Sequence, residues 1–210
     1  MIPLPTPIYH FTHVNNLVSI LAQGLLSNNV LKQGDISYTD VAHRSVQDRR
    51  ATKSVSCGPG GVLHDYVPFY FAPRSPMLFT ISKGNVEGYS QGQEPLIYIS
   101  STAQAVKAAA LPFVFTDGHG IMAITKFFDD LIDLREIDWA VMARRYWKDT
   151  PEDNERCRRR QAEFLIHGCF PWNLTREIGV MNFARETQVR RIIKISPHQP
   201  QIRVHSEWYY

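Results

Sequence analysis

The chain has 210 residues, of which 44% are hydrophobic and 20% are charged, and its formal net charge is +3. These proportions are typical of a globular domain with a real core, and they exclude wholesale disorder. The mild positive charge permits a nucleic-acid partner without demanding one. No apolar run approaches the roughly 18 to 20 residues that cross a bilayer, and the N-terminus lacks the features of a signal peptide. We therefore expect a cytoplasmic protein without a membrane partner.

The first half of the chain predicts strands and short helices separated by turns rich in glycine and proline. Aromatic and β-branched residues predict a strand over residues 8–12, followed by a helix that Asn15 or Asn16 caps and Gly24 stops. Further predictions are a short helix or ordered loop over 40–53, a turn over 58–61 and a strand over 67–71. Residues 77–81 extend or restart regular structure.

The second half continues this mixture without a regular strand–helix–strand alternation. The predicted strands are 95–100, 112–116, 161–170, 178–183 and 202–210, and the predicted helices are 102–110 and 186–194. A longer helical pattern carries Phe127, Phe128, Leu131, Ile132 and Leu134, and the charged stretch 144–160 is expected to be irregular. This mixture predicts an α+β fold with a central mixed or antiparallel β-sheet flanked by short helices. Without a repeat or linker, residues 1–210 are predicted to form a single domain.

Glu163 is the first candidate for chemistry, because it lies in an apolar predicted strand directly after a run of arginines. The alternation of Glu163 with Ala162 and Phe164 favours a carboxylate on the solvated face of a half-buried strand, paired with those arginines. The alternative is functional. A lone carboxylate on a rigid strand beside cations stays ionised, and it can orient a ribose hydroxyl and stabilise an oxocarbenium-like transition state.

His13 ends the first predicted strand where a helix begins, a position that suits an anionic group such as a pyrophosphate. A hydrogen-bonded structural histidine is the alternative. His10 and His13 do not indicate a metal, because residues three apart on a strand point to opposite faces and no Asp or Glu lies near them. The three cysteines form no Cys-x-x-Cys pair, which argues against a disulfide framework or a cysteine zinc site. We therefore expect no metal.

Two basic clusters are candidates for contact with phosphates or bases. Arg49, Arg50 and Lys53 form the first, and arginines 156 and 158–160 with the nearby Tyr146 and Trp147 form the second. Cations interleaved with aromatic rings are the combination that binds single-stranded nucleic acids. A solvated charged surface is the alternative interpretation for both clusters.

Five stretches taken together resemble the DarT family of toxins. They are IYHFTHVNNL at residues 8–17, VQDRR at 46–50, GGVLHDYVPFYFAPRSPM at 60–77, TDGH at 116–119 and QAEFL at 161–165. The third stretch is the most specific, and the resemblance extends from about residue 8 to residue 195 or beyond. It implies a PARP-like ADP-ribosyltransferase fold and an enzyme that transfers ADP-ribose from NAD⁺ to a base of single-stranded DNA, commonly a thymidine ring nitrogen within a short sequence motif. It also implies a DarG-type antitoxin partner whose macrodomain removes the mark.

The resemblance assigns roles to individual residues. It implies that Glu163 is the catalytic glutamate and that one residue of the pair Arg49 and Arg50, preferably Arg50, is the catalytic arginine. The NAD-binding residues would be His13, Thr12, Asn15, Tyr70 and Met77, and the substrate-binding residues would be His119, Arg158, Arg159 and Tyr146. Residues 117–160 would form the substrate-recognition region, with no metal required.

Two alternatives to this function stay open at the level of the residues. The first is a transferase of the same fold that modifies RNA or protein. The second is a non-catalytic module that binds single-stranded nucleic acid through the basic aromatic stretch, and the presence of His13, the arginine pair and Glu163 argues against it. A metal-dependent nuclease lacks a suitable cluster of carboxylates and histidines.

Overall fold

Ten strands and eight short α-helices make up the computed structural model, which describes all residues from 1 to 210. The strands are β1 (Pro7–His13), β2 (Leu25–Leu26), β3 (Tyr66–Tyr70), β4 (Leu96–Thr102), β5 (Phe113–Thr116), β6 (Phe127–Phe128), β7 (Glu163–His167), β8 (Cys169–Phe170), β9 (Glu177–Val180) and β10 (Gln201–Val204). The helices are α1 (Leu17–Gln23), α2 (Asn28–Gln33), α3 (Arg44–Thr52), α4 (Pro76–Ser82), α5 (Ala103–Ala108), α6 (Trp139–Met142), α7 (Arg156–Arg160) and α8 (Phe183–Ile193). Short 3-10 helices cover Val14–Asn16, Leu63–Asp65, Leu131–Glu136, Trp172–Leu174 and Ser206–Trp208.

Eight of the strands form one sheet in the order β10-β9-β4-β1-β3-β7-β5-β6, and β2 pairs with β8 separately. Neighbouring strands are antiparallel except for β10 and β9, which are parallel. The sheet is therefore mixed and mostly antiparallel, as predicted. None of the helices combines the length and hydropathy that a bilayer span requires.

The two faces of the sheet differ in what covers them. The main apolar core lies on one face, where Ile8, Phe69, Ile99, Phe164 and Ile178 pack with helices such as α1 and α8. Two smaller clusters lie on the other face, around Tyr98 in one case and Leu165 in the other. Because directly opposite residues share a face, Glu163 lies with its partner Tyr70 on this second face. The fold thus keeps Glu163 away from the main core.

Strands β1 and β3 pair only at Tyr9 and Tyr70 and then diverge. The register would next bring Phe11 opposite Pro68, and a proline has no N–H to donate to a ladder. Instead, the ring of His10 reaches across, and its Nδ1 lies 2.7 Å from the Pro68 carbonyl oxygen. A side-chain hydrogen bond thus replaces the backbone pairing where the sheet splits.

Several predicted elements are confirmed, namely the strands around residues 8–12, 67–71, 95–100 and 112–116, the helix from Leu17 and the short helix over 102–110. The basic stretch 40–53 contains the helix α3. Residues 77–81 restart regular structure as the helix α4, which Ser75 caps by accepting a hydrogen bond from the Leu78 N–H. The short elements β2 and α2 were not predicted, because their few residues carry no recognisable period.

The helical prediction for Phe127 and Phe128 is wrong, since these residues form β6 and pair with β5. The ring of Phe128 stacks on Phe115 with the centroids 5.3 Å apart, so burial against a neighbouring strand decides the conformation. The helical pattern begins only afterwards, as the 3-10 turn Leu131–Glu136. The stretch 144–160 is also more regular than predicted, because it ends in α7.

Three predicted boundaries were wrong in the last third of the chain. The strand expected over 161–170 is interrupted at Gly168, whose φ of 72° belongs to the left-handed region that glycine adopts easily. The strand expected over 178–183 ends at Val180, because Asn182 caps the helix α8 through the Arg185 N–H. The strand expected over 202–210 ends at Val204, after which Trp208 packs against the bare backbone of Gly179.

Candidate active site

Glu163 is buried at the start of β7, with only 2% of its surface exposed. Its Oε2 accepts a hydrogen bond of 2.7 Å from Arg50 Nη1, and its Oε1 accepts one of 3.0 Å from the Gly120 N–H. The His119 Nδ1 lies 3.5 Å from the same Oε1. We call Arg50, His119, Gly120 and Glu163 the catalytic corner. The prediction of a solvent-facing carboxylate is therefore wrong, because both faces of this strand are covered.

The charge of Glu163 is stabilised by its neighbours against the cost of burial. Burial alone would raise the pKa of this carboxyl, but the Arg50 guanidinium and the His119 ring outweigh it and lower the pKa to about 2. Glu163 is consequently ionised at neutral pH. Each of its oxygens uses one of its acceptor positions in the corner, which leaves lone pairs for a substrate hydroxyl.

The structure distinguishes between the two candidate arginines of α3. Arg50 is buried and lines a cavity next to Glu163, whereas Arg49 is exposed and does not line it. One guanidinium nitrogen of Arg50, Nη2, is buried without a protein partner. A buried donor without a partner is costly, so this nitrogen is suited to a substrate acceptor. The geometry gives Arg49 no part in the site.

The cavity has a volume of about 460 Å³ and occupies the gap between the diverging strands β1 and β3. The predicted residues that line it are Thr12, Arg50, Tyr70, Met77, His119 and Glu163. The Tyr70 hydroxyl lies 3.9 Å from Met77 Sδ, so the strand β3 and the helix α4 meet at this wall. Burial, followed by the charge of Glu163, raises the pKa of Tyr70, which keeps its hydroxyl protonated.

His13 is buried and does not line the cavity. Its Nδ1 accepts a hydrogen bond of 3.1 Å from the Asn15 N–H, so its Nε2 carries the proton and donates to Gln91 Oε1 over 3.1 Å. Asn15 is exposed and does not line the cavity, which the neighbouring Asn16 lines instead. Asn16 donates to the Thr12 hydroxyl over 3.0 Å and connects it to Thr39.

The predicted substrate-binding residues other than His119 lie outside the cavity. Arg158 is paired with Asp117 and Glu155, and Arg159 is paired with Asp138 and Asp153. These two arginines therefore hold the region together, and their charges are neutralised within it. Tyr146 is 78% exposed and lies on the surface.

Sequence reasoning missed two histidines that line the cavity, His10 and His64. Because a carbonyl only accepts, His10 donates from Nδ1 to Pro68, and burial lowers its pKa, so its Nε2 is an acceptor. His64 lies 2.9 Å from Gln47 Oε1 through its Nε2, which fixes the helix α3 against the loop before β3. The weak signal for both was their position within the stretches 8–17 and 60–77. No three His, Cys, Asp or Glu side chains gather as a metal site.

The similarity of this chain to known proteins supports an active site at this place. A family model described as ssDNA thymidine ADP-ribosyltransferase, DarT, matches residues 9–210. The chain belongs to the DarT family. The predictions of the family and of DNA ADP-ribosyltransferase activity are confirmed.

Relatives with solved structures extend the similarity. A DNA ADP-ribosyl transferase of Thermus sp. (strain 2.9) is 46% identical over 211 residues, covering 99% of this chain and 98% of the relative. The structure of Thermus sp. 2.9 DarT in complex with ADP-ribosylated ssDNA matches with a TM-score of 0.92 and 45% identity, over 99% of this chain and 98% of that one. The same DarT in complex with NAD⁺ matches with a TM-score of 0.88 and 43% identity over the whole of both chains.

A more distant relative contains a second activity. A fusion protein of Thermosipho africanus, named for a DNA ADP-ribosyl transferase and a DNA ADP-ribosyl glycohydrolase, is 26% identical over 80% of this chain and 41% of its own length.

The match to the Thermus DarT structure identifies the eight-stranded sheet described above as the PARP-like sheet of a DarT fold, as predicted. NAD⁺-dependent ADP-ribosylation of single-stranded DNA is confirmed at the level of the family.

Proposed function

We propose that this chain transfers ADP-ribose from NAD⁺ to a thymidine ring nitrogen in single-stranded DNA, with Glu163 as the catalytic carboxylate. The observation that carries the proposal is the buried, ionised Glu163 beside Arg50 at the end of a cavity. In this reaction the bond between nicotinamide and the ribose carbon C1 breaks, and its electron pair leaves with nicotinamide. The base nitrogen then bonds to the same carbon, while its proton passes to solvent.

Glu163 serves the electrophilic half of this reaction. A fixed carboxylate accepts a hydrogen bond from a ribose hydroxyl and stabilises positive charge that develops at C1, as carboxylates do in glycoside hydrolysis. The hydrogen bonds from Arg50 and the Gly120 N–H hold its oxygens in place before the substrate arrives. Such preorganisation costs no rearrangement at the moment of reaction.

Arg50 serves the nucleophilic half through its charge. A guanidinium is a poor general base because it keeps its proton, but it stabilises a base nitrogen that has lost its own proton. Its free Nη2 is the group available for this contact. A single-stranded substrate fits this arrangement, because exposing a pairing nitrogen in a duplex costs a few kcal/mol.

The remaining predicted residues take supporting roles in the same proposal. Thr12, Tyr70 and Met77 contact NAD⁺ from the cavity wall, His13 supports that wall, and His119 contacts NAD⁺ or the target base beside Glu163. Residues 117–160 form the recognition segment within a single domain of residues 1–210. Exposed cations of this segment without a carboxylate partner, such as Arg144, Arg145 and Lys148, contact the DNA backbone.

A role as a cytoplasmic toxin with a DarG-type macrodomain antitoxin belongs to the proposal as well. The fused glycohydrolase of the Thermosipho africanus relative supports it, since removal of the mark is encoded there together with its addition. Expression in bacterial cells should stop growth, and co-expression of a DNA ADP-ribosyl glycohydrolase should restore it. Equal growth of cells that express the parent and Glu163→Gln would contradict a toxic role.

The direct test uses labelled NAD⁺ with single-stranded DNA, duplex DNA and RNA of one sequence, in the presence of a carrier protein. Label should appear on the single-stranded DNA, and mass spectrometry of the product should locate ADP-ribose on a thymidine ring nitrogen. Label on RNA or protein alone would favour the alternative transferase activities, and binding without transfer would favour a non-catalytic module.

A further inference from the structure

Tyr210 connects three segments around the active site, although it does not line the cavity. Its backbone N–H donates to Gln93 Oε1 over 3.0 Å, and its backbone oxygen accepts a hydrogen bond from the amide of the same glutamine. Its hydroxyl donates to the Arg74 carbonyl oxygen over 2.6 Å and lies 2.7 Å from Trp147 Nε1, from which it accepts. The backbone and the side chain of Tyr210 therefore hold different segments.

The backbone contacts lead to the NAD⁺ side of the site. Gln93 ends the loop of residues 86–93, in which the Tyr89 hydroxyl donates to the Gly92 carbonyl oxygen over 2.9 Å. Gln91 of this 86–93 loop accepts the hydrogen bond from His13 Nε2. One loop thus carries both contacts, since Gln93 bonds to Tyr210 and Gln91, two residues earlier, bonds to His13.

The hydrogen bonds of the Tyr210 hydroxyl lead to the recognition segment and to the loop before α4. Trp147 is a buried residue of the recognition segment, between exposed Tyr146 and exposed Lys148. Arg74 lies just before α4, the helix that brings Met77 to the cavity. One hydroxyl therefore joins the recognition segment to the loop before α4.

The loop at Arg74 needs such support. Arg74 has a φ of 58°, a value that a residue with a side chain adopts only when its surroundings enforce it. The Arg74 guanidinium lies 4.1 Å from the centroid of the Tyr210 ring, and that ring packs edge-on against Phe79 of α4. Tyr210 thus contacts both the strained residue and the helix that follows it.

We propose that Tyr210 is a positioning residue for both substrates, with its backbone aligning the NAD⁺ wall through Gln93 and its hydroxyl aligning the recognition segment through Trp147. This inference rests on the proposed function, which assigns His13 to the NAD⁺ side and residues 117–160 to the DNA side. The backbone of Tyr210 then affects KM for NAD⁺, and its hydroxyl affects KM for single-stranded DNA.

The hydroxyl is tested with Tyr210→Phe, which keeps the ring on Phe79 and under Arg74. Because the ring contacts with Phe79 and Arg74 keep α4 in place, the loss of the hydrogen bond from Trp147 predicts a rise of about five- to tenfold in KM for a single-stranded oligonucleotide, with KM for NAD⁺ changed by less than about twofold. Tyr9→Phe is the matched control, because Tyr9 also packs on the last residues of the chain, at Trp208, without a hydrogen bond from its hydroxyl.

The backbone contact is tested with Gln93→Leu, which removes both hydrogen bonds to Tyr210 and keeps a side chain of similar size. The opposite split is expected, namely a rise of about five- to tenfold in KM for NAD⁺ with KM for the oligonucleotide changed by less than about twofold. Hydrogen exchange, which requires no activity, should quicken in the 86–93 loop for Gln93→Leu and around Trp147 for Tyr210→Phe.

Three outcomes would overturn the proposal. The first is that both Michaelis constants stay unchanged in both variants. The second is a fall in kcat alone, as expected from a loss of folded protein. The third is quicker hydrogen exchange without a selective rise in KM for one of the two substrates. Failure of the proposed function is a separate result, because the parent itself would then not label single-stranded DNA. In that case unchanged exchange in both variants still overturns the positioning role.

Discussion

Arg50 in the catalytic corner and the arginines of the recognition segment have the same charge, but the structure uses them differently. Arg50 is buried against Glu163 and keeps one guanidinium nitrogen without a partner next to the cavity. Arg158 and Arg159 each contact two carboxylates of their own region, and so their charges are neutralised locally. A cluster of arginines in a sequence is therefore not the same as a positive surface, because the partners of each one decide what it offers to a substrate.

The largest expected effect concerns the carboxylate of the catalytic corner. Glu163→Gln keeps the shape and one acceptor but removes the charge that stabilises the ribose carbon, so we expect transfer to fall by roughly 10³-fold. Affinity for a single-stranded oligonucleotide should stay close to that of the parent. Single-turnover rates with labelled NAD⁺ measure the first quantity and fluorescence anisotropy the second. Glu136→Gln, an exposed residue in the recognition segment, is the control.

The second prediction separates the two adjacent arginines of α3. Arg50→Lys retains a charge but loses the planar fork that reaches Glu163 and the cavity together, and we expect transfer to fall by about 10²-fold. Arg49→Lys changes an exposed residue outside the cavity and should leave the rate within about twofold of the parent. A larger loss in Arg49→Lys than in Arg50→Lys would reverse our assignment of the catalytic arginine.

The third prediction follows from the pKa of Glu163, which folding lowers from 4.5 to about 2. A carboxyl with a lowered pKa in the folded state stabilises the fold above its unfolded pKa and loses this contribution as the pH falls toward its folded pKa. The difference in free energy of unfolding between the parent and Glu163→Gln should therefore shrink as the pH falls below about 4.5, by a total on the order of 3 kcal/mol. Urea unfolding at a series of pH values measures it, and a difference that stays constant from about pH 5 to about pH 3 would contradict the lowered pKa.

The smallest effect concerns the recognition segment. Arg145 is exposed, and no carboxylate of the protein pairs with it, so Arg145→Gln should reduce the slope of log affinity for single-stranded DNA against log salt by about 0.7. Arg158→Gln removes an arginine that is paired within the protein and should leave this slope unchanged, while it loosens the segment. Anisotropy titrations at several salt concentrations compare the two variants. Equal slopes for both would remove the distinction between paired and free arginines.

The resemblance points to Glu163, Arg50 and His119, which the structure brings together, whereas periodicity does not. Alternation along the strand placed Glu163 on a solvated face, because a sequence window does not reveal that Leu63 and other residues distant in the chain cover the second face of the sheet. The assignment of Arg50 over Arg49 depends on the rotation of α3, which the contact between Gln47 and His64 holds across a long loop. Neither constraint is local.

The wrong predictions of secondary structure also arise from contacts between residues that are distant in the chain. Phe127 and Phe128 fit a helical pattern with Leu131, but pairing with β5 and stacking on Phe115 favour a strand. Asn15 is a predicted NAD-binding residue, but the 3-10 turn at Val14–Asn16 makes Asn16, not Asn15, line the cavity. The helix α1, which depends on local spacing and on its stop at Gly24, was correctly predicted, although the side chain of Asn16 bonds to Thr12 and Thr39 and does not cap it. Elements selected by a distant partner were not predicted.

The divergence of β1 and β3 has a consequence for how the enzyme meets its substrates. Since Pro68 offers no N–H and the His10 ring bonds to its carbonyl oxygen, the backbone ladder between the two strands is interrupted at this residue. Side chains of both strands therefore line one cleft, and a molecule that enters this cleft breaks no backbone hydrogen bond between them.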